Sequence, residues 1–166
     1  VMDKAEKVAN PTGKVTMCPV TDLMVKSRIE VLSAQVLEHV KSIEEEDVLV
    51  VAGRGAQKAV EELAELAGLL GGQLCFTRPM VEAGYGDTAH QIGLSGRTVK
   101  PKLILTFGVS GAIQFTACMN GSECIVAVNQ DEEAPIFKIA SICIKDDLYQ
   151  VLPALITELK NRKDGE

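Results

Sequence analysis

GYGDTAHQIGLSGR at 84–97, LILTFGVSGAIQF at 103–115 and IVAVNQDEEAPIF at 125–137 decide the fold. Each segment couples a short apolar run to a turn rich in glycine and small polar residues. The runs read as strands of one sheet and the turns as its edge. That layout sets many backbone N–H donors and small polar side chains side by side. An extended, anionic, nucleotide-like ligand needs such a surface.

A strand–loop–helix series extends from this stretch in both directions. Residues 47–52 (DVLVVA) predict a short apolar strand and Gly53-Arg54-Gly55 a turn. Residues 56–70 predict a helix with Val60, Leu63, Ala64 and Ala67 as its buried stripe, stopped by Gly71-Gly72. Strands are expected at 73–77, 103–107, 124–128 and 139–144, with a single helical turn at 80–83 and a short helix at 112–119. A last helix is expected from about Pro153, which suits a first turn, to about Arg162. Near-continuous apolar strands alternating with helices imply an α/β fold on a doubly wound parallel sheet. Upstream, residues 15–25 predict a short strand interrupted by Pro19, and 27–43 an amphipathic helix. The acidic run 44–47 then marks a solvated boundary, so the expected division is 1–46 and 47–166.

Composition narrows the function classes. Hydrophobic residues make up 46% of the 166 positions with only 4% aromatic and no Trp, which indicates a core of Val, Ile, Leu and Ala. Net charge is −6 without a Lys/Arg stripe, which argues against a nucleic-acid partner. The five cysteines form no C-x-x-C pair and sit mostly in apolar runs, so reduced thiols are expected rather than disulfides or zinc. No apolar run approaches the ~20 residues of a membrane span. Residues 1–14 lack the apolar core of a signal peptide. A cytoplasmic chain with no membrane insertion is the expectation.

Two familiar motifs fail on inspection. Gly53-Arg54-Gly55 would open a G-x-G-x-x-G fingerprint, but Lys58 stands at the third glycine and Thr77-Arg78 where a ribose-binding acid belongs. The loop is then either a plain tight turn or an anion site favoured by Arg54. Gly108-Val109-Ser110-Gly111 falls short of a nucleophile elbow, since Ala112 replaces the last glycine and both histidines, His39 and His90, precede Ser110. Ser110 at a helix start facing a phosphate is the better use. Thr77-Arg78, Gly93-Leu94-Ser95-Gly96-Arg97, Asn129 and Asp146-Asp147 each read alone as surface loops or caps. Their joint position at successive strand ends favours a ligand edge.

Together these segments resemble the C-terminal FAD-binding domain of the electron transfer flavoprotein alpha subunit. The elements are Gly53-Arg54-Gly55, Thr77-Arg78 with 81–84, 91–97, Pro101, 108–114, and 126–129 continuing through Asp131 to 133–137, in matching order and spacing over about 47–159. The resemblance implies a Rossmann-like FAD-binding domain with a short N-terminal strand and helix extension. By it, Arg54, Thr77, Ser110 and Asn129 would bind the pyrophosphate and neighbouring ribose, and Asp147 and Leu148 the adenosine end. Residues Gln91, Ile92, Gly93, Leu94 and Ser95 would line the isoalloxazine, with the Ser95 hydroxyl near N5 and Arg78 against the ring. Gln114 would reach the ribityl or ring region from the helix start, and Gly111, Ala112, Ile113 and Phe115 would also belong to the cofactor-binding set.

Three departures qualify it. Thr77 replaces a common Ser and keeps the hydroxyl. Phe115 stands where many members have a His, and Phe can neither donate a hydrogen bond nor carry charge. Only 46 residues precede the domain, as in a truncated or a naturally short form. The implied role is a flavin electron carrier rather than an enzyme. It would pair with the electron transfer flavoprotein beta subunit and take electrons from donor dehydrogenases, acyl-CoA dehydrogenases among them, for an electron acceptor. The rival readings are an NAD-dependent dehydrogenase domain and a cofactor-free interaction module.

Overall fold

The computed structural model describes residues 16–17 and 42–163. The strand expected at 15–25 and the helix expected at 27–43 lie outside these residues except at their edges, as does His39. The chain divides into two compact units, Val1–Glu38 and His39–Glu166, and the architecture below is that of the second.

Six strands among the described residues form one sheet: β1 (Val48–Ala52), β2 (Gln73–Thr77), β3 (Gln91–Ile92), β4 (Leu103–Phe107), β5 (Cys124–Val128) and β6 (Ile142–Ile144). Their spatial order is β3-β2-β1-β4-β5-β6. Every pairing is parallel. This is the doubly wound order, in which the chain crosses from one side of β1 to the other between β3 and β4.

Side-chain alternation along the strands divides the core in two. Val50, Ala52, Phe76, Leu105, Phe107 and Val128 turn to one face. There they meet helices α1 (Val60–Leu69) and α4 (Leu148–Lys163) through Leu63, Leu66, Leu152 and Ile156. Leu49, Val51, Cys75, Ile104, Ile125 and Ala127 turn to the other face, covered by Ile43, Val99, Phe115, Cys118, Met119 and Ile136. Two short helices, α2 (Arg78–Glu82) and α3 (Ile113–Thr116), complete the set. No helix among the described residues is long and apolar enough to cross a membrane.

Several expected elements shift. The helix expected at 56–70 opens instead as a 3₁₀ segment, Arg54–Ala59, broken by non-helical angles at Ala56. In α1 itself Leu66 is buried and Ala64 exposed, so the stripe runs Leu63, Leu66, Ala67. The helix expected at 112–119 is the single turn α3, and the strand expected at 139–144 is only β6, because Pro135–Lys138 forms a 3₁₀ turn just before it.

The last helix starts five residues ahead of Pro153, which lies inside it. Asp147 sets that start: its carboxylate accepts the Tyr149 N–H at 3.0 Å and its carbonyl accepts from Gln150 and Val151. A side-chain N-cap outranks proline as the start signal here. Strand β3 falls within the 84–97 segment, where no strand range was expected. Its two residues pair as Phe76↔Gln91 and Thr77↔Ile92, too short a run to show a period.

Candidate functional site

The loops after β1, β2, β3, β4 and β5 enclose a cleft of about 800 Å³ at the point where the sheet order reverses. That position is where open α/β sheets bind ligands, and the volume lies within the ~300–1,000 Å³ of small-molecule sites.

Glycines let the two central loops meet backbone to backbone. The Gly53 N–H donates to Phe107 O at 2.9 Å and the Gly55 N–H to Gly108 O at 3.2 Å. A Cβ on Gly53 would overlap the Gly108 carbonyl, and Gly108 has a φ of 62°, which side chains rarely adopt. Farther along, Gly111 has a φ of 88°, and a Cβ there would overlap the Ile136 backbone nitrogen. The Ile136 N–H donates to Ser110 O at 3.1 Å, so the Pro135–Lys138 turn holds the Ser110-Gly111 loop from behind.

The other loops are tied as closely. Asn129 donates its side-chain N–H to Val109 O at 2.8 Å, while its Oδ1 accepts the Asp131 N–H at 3.0 Å. Leu94 N–H reaches Gln114 O at 3.1 Å, joining the 93–95 turn to α3. Arg97 N–H closes that turn on Gln91 O at 2.7 Å. Gln91 is 4% exposed, and its Nε2 donates to Ser95 Oγ at 2.9 Å. With its oxygen engaged, the Ser95 hydroxyl is left to donate its own proton outward.

Charge in the cleft is uneven. Arg54 is exposed and makes no ion pair among the described residues. Arg78 is engaged: its Nε meets Glu82 Oε1 at 2.7 Å, one helical turn on, with both side chains exposed. Among the described residues Arg54 is thus the cleft cation free to meet an anion.

Of the expected residues, Arg54, Thr77, Arg78, Ile92, Gly93, Leu94, Ser95, Ser110, Gly111, Ala112, Gln114, Phe115 and Asn129 all line the cleft. Thr77 is nearly buried, with its hydroxyl 3.5 Å from Ala52 O. Phe115 also packs into the core at 6% exposure, so its ring serves both cleft wall and interior. Four expected residues stand elsewhere. Gln91 lies behind Ser95, Ile113 is 81% exposed outside the lining, Leu148 is buried against the opposite face, and Asp147 caps α4. The helix α3 spans only four residues, so Ser110 faces the cleft from a loop and not from a sustained helix N-terminus.

Gly53, Gly55, Pro79, Glu82, Gly108, Val109 and Asp131 line the cleft as well, although the sequence marks them only as turn or motif positions. The i,i+4 spacing of Arg78 and Glu82 was the signal available for Glu82.

Residues 42–120 match the family described as the electron transfer flavoprotein FAD-binding domain. The lactate dehydrogenase (NAD(+),ferredoxin) subunit LctC of Acetobacterium woodii is 43% identical across 100% of the chain. The electron transfer flavoprotein subunit alpha of Thermoanaerobacterium thermosaccharolyticum is 40% identical across 98% of it, and that of Megasphaera elsdenii 45% identical across 73%. The chain spans 41%, 50% and 37% of the lengths of these three relatives.

Proposed function

The chain belongs to the electron transfer flavoprotein alpha-subunit family, and on that premise we propose that residues 47–166 hold FAD in the switch-point cleft and serve as an electron carrier. One observation carries the reading: the Arg54 guanidinium, without an ion pair among the described residues, lines the cleft together with Ser95 and Ser110. This donor set suits a long anionic dinucleotide with a polar ring at one end. FAD, when bound, supplies the electron-accepting ring.

The chain's own residues position and tune that ring. Arg54 neutralises pyrophosphate charge, and the exposed Ser110 hydroxyl adds a donor beside it. Asn129 holds the Val109 loop and leaves one amide hydrogen for a ribose or phosphate oxygen. Ser95, turned outward by Gln91, donates toward the ring nitrogen. Arg78 also lines the cleft, and by the resemblance it would lie against the ring, where a permanent positive charge favours electron-rich flavin. Phe115 and Ile92 keep the wall apolar and exclude water. Asp147 and Leu148 remain proposed neighbours of the adenosine end by resemblance.

The "subunit alpha" designation of the relatives supports a beta-type partner that completes the pocket, with donor dehydrogenases and an acceptor beyond it. A cytoplasmic setting, where the cysteines would stay reduced, goes with this reading. The LctC relative supports a second reading, in which the chain is the flavin subunit of a dehydrogenase complex and takes part in turnover there.

Reconstitution with FAD and the visible spectrum test the proposal. A retained flavin band supports it; no band, even with the partner subunit present, sinks it. Copurification of lactate-oxidising activity with the chain would favour the second reading.

A further inference from the structure

Tyr149 sits at the second position of α4, outside the cleft lining, with its ring half exposed. Its hydroxyl nevertheless donates to Gly55 O at 3.1 Å, across 94 residues of sequence. Gly55 is therefore held on both sides of its backbone, its N–H by Gly108 O at 3.2 Å and its carbonyl by Tyr149. The residue before it is Arg54, the cleft cation that has no ion pair among the described residues.

Tyr149 is itself fixed. The Asp147 carboxylate accepts its backbone N–H at 3.0 Å, and the adjacent Leu148 is 5% exposed, anchoring the helix start in the core. A continuous brace thus runs from the Asp147 cap through Tyr149 to the loop that presents Arg54.

We infer that Tyr149 is a positioning residue for Arg54, acting through the Gly55 carbonyl rather than by touching the ligand. Asp147 then serves the site as the cap that aims Tyr149. The inference rests on the flavin reading above, and it concerns how that reading's anion-binding loop is kept in place. Because Gly55 and Tyr149 are both exposed, water replaces the lost bond cheaply when the hydroxyl is removed. The fold as a whole keeps its stability, while the loop loses its fixed geometry.

Tyr149→Phe removes the hydroxyl and keeps the ring. In the whole chain we expect FAD to bind about three- to tenfold more weakly, the net worth of one neutral hydrogen bond. Amide exchange at 54–59 should accelerate with the urea midpoint unchanged. In an Arg54→Ala background the same substitution should cost nothing further in affinity, because the group being positioned is gone.

An unaltered FAD dissociation constant in Tyr149→Phe overturns the inference. So does a loss of equal size in the Arg54→Ala background, or a lowered urea midpoint without faster exchange at 54–59. Failure of the unsubstituted chain to bind FAD, with its partner subunit supplied, overturns the flavin reading and this one with it.

Discussion

The Asn129 side-chain amide donates to the Val109 carbonyl oxygen at 2.8 Å, tying the end of β5 to the loop after β4. The same side chain accepts the Asp131 N–H at 3.0 Å, so one half-buried residue satisfies two separate backbone groups. Asn129→Ala should cost about 1–3 kcal/mol in urea unfolding, the penalty for a buried partner left unmet. FAD affinity should fall with it, since the Val109-Ser110 loop loses its tether. An unchanged midpoint would show that water replaces both bonds.

Gly53 and Gly108 leave no room for side chains where their loops touch. Gly53→Ala should destabilise the chain by about 1–3 kcal/mol, the usual cost of overpacking, because the neighbour is backbone and cannot rotate away. Gly108→Ala adds the strain of a φ of 62° to a Cβ only 2.8 Å from Gly55 backbone atoms, and should cost more. Thermal unfolding of both variants measures the order. Gly68→Ala, with open space around it, is the control and should be neutral or slightly stabilising.

Arg54 and Arg78 should separate in mutagenesis. Arg54 has no ion-pair partner among the described residues, so Arg54→Ala should leave apo stability within about 0.5 kcal/mol. It should weaken FAD binding by about tenfold or more, the worth of a charge-assisted bond. The loss should shrink at high salt. Arg78 shares its charge with Glu82, and Glu82→Gln should tighten FAD binding by freeing it. Titrations at two ionic strengths distinguish these outcomes from a general loss of fold.

The thiols make a sharper contrast. Burial, with the Glu46 charge secondary, pushes Cys75 up to about 12, while Cys143 lies exposed on the edge strand β6. Thiolate is the reactive form, so Cys75 presents almost none near neutral pH. Iodoacetamide at pH 8 should therefore mark Cys143 and spare Cys75 until denaturant is added. Mass spectrometry of the labelled peptides gives the answer, and early labelling of Cys75 would contradict its burial.

Much of this was legible in the sequence, for physical reasons that also explain the gaps. Four strands (β1, β2, β4 and β5) stand out because their runs are mostly apolar and mostly buried, with Gln73, Thr77 and Thr106 as the polar positions. Strand β3 escaped because two residues, one of them Gln91, carry no pattern. Pro153 misled because proline suits a first helical turn, yet α4 tolerates it in its interior once Asp147 has set the start. The cleft loops were legible as glycine-rich strand ends and, through the family resemblance, in their order. What sequence could not show was which polar groups are already spent. Asn129 on Val109 and Tyr149 on Gly55 are tertiary pairings and Gln91 on Ser95 is a turn contact that only the fold brings together, whereas Arg78 on Glu82 is local and left an i,i+4 spacing to read.

The most direct test of the central claim is calorimetric titration of the purified chain, with its partner subunit supplied, against FAD and NAD in parallel. The account predicts saturable FAD binding that weakens about tenfold or more in Arg54→Ala, and no NAD binding. NAD binding without FAD binding would contradict it and assign the cleft to a nicotinamide nucleotide.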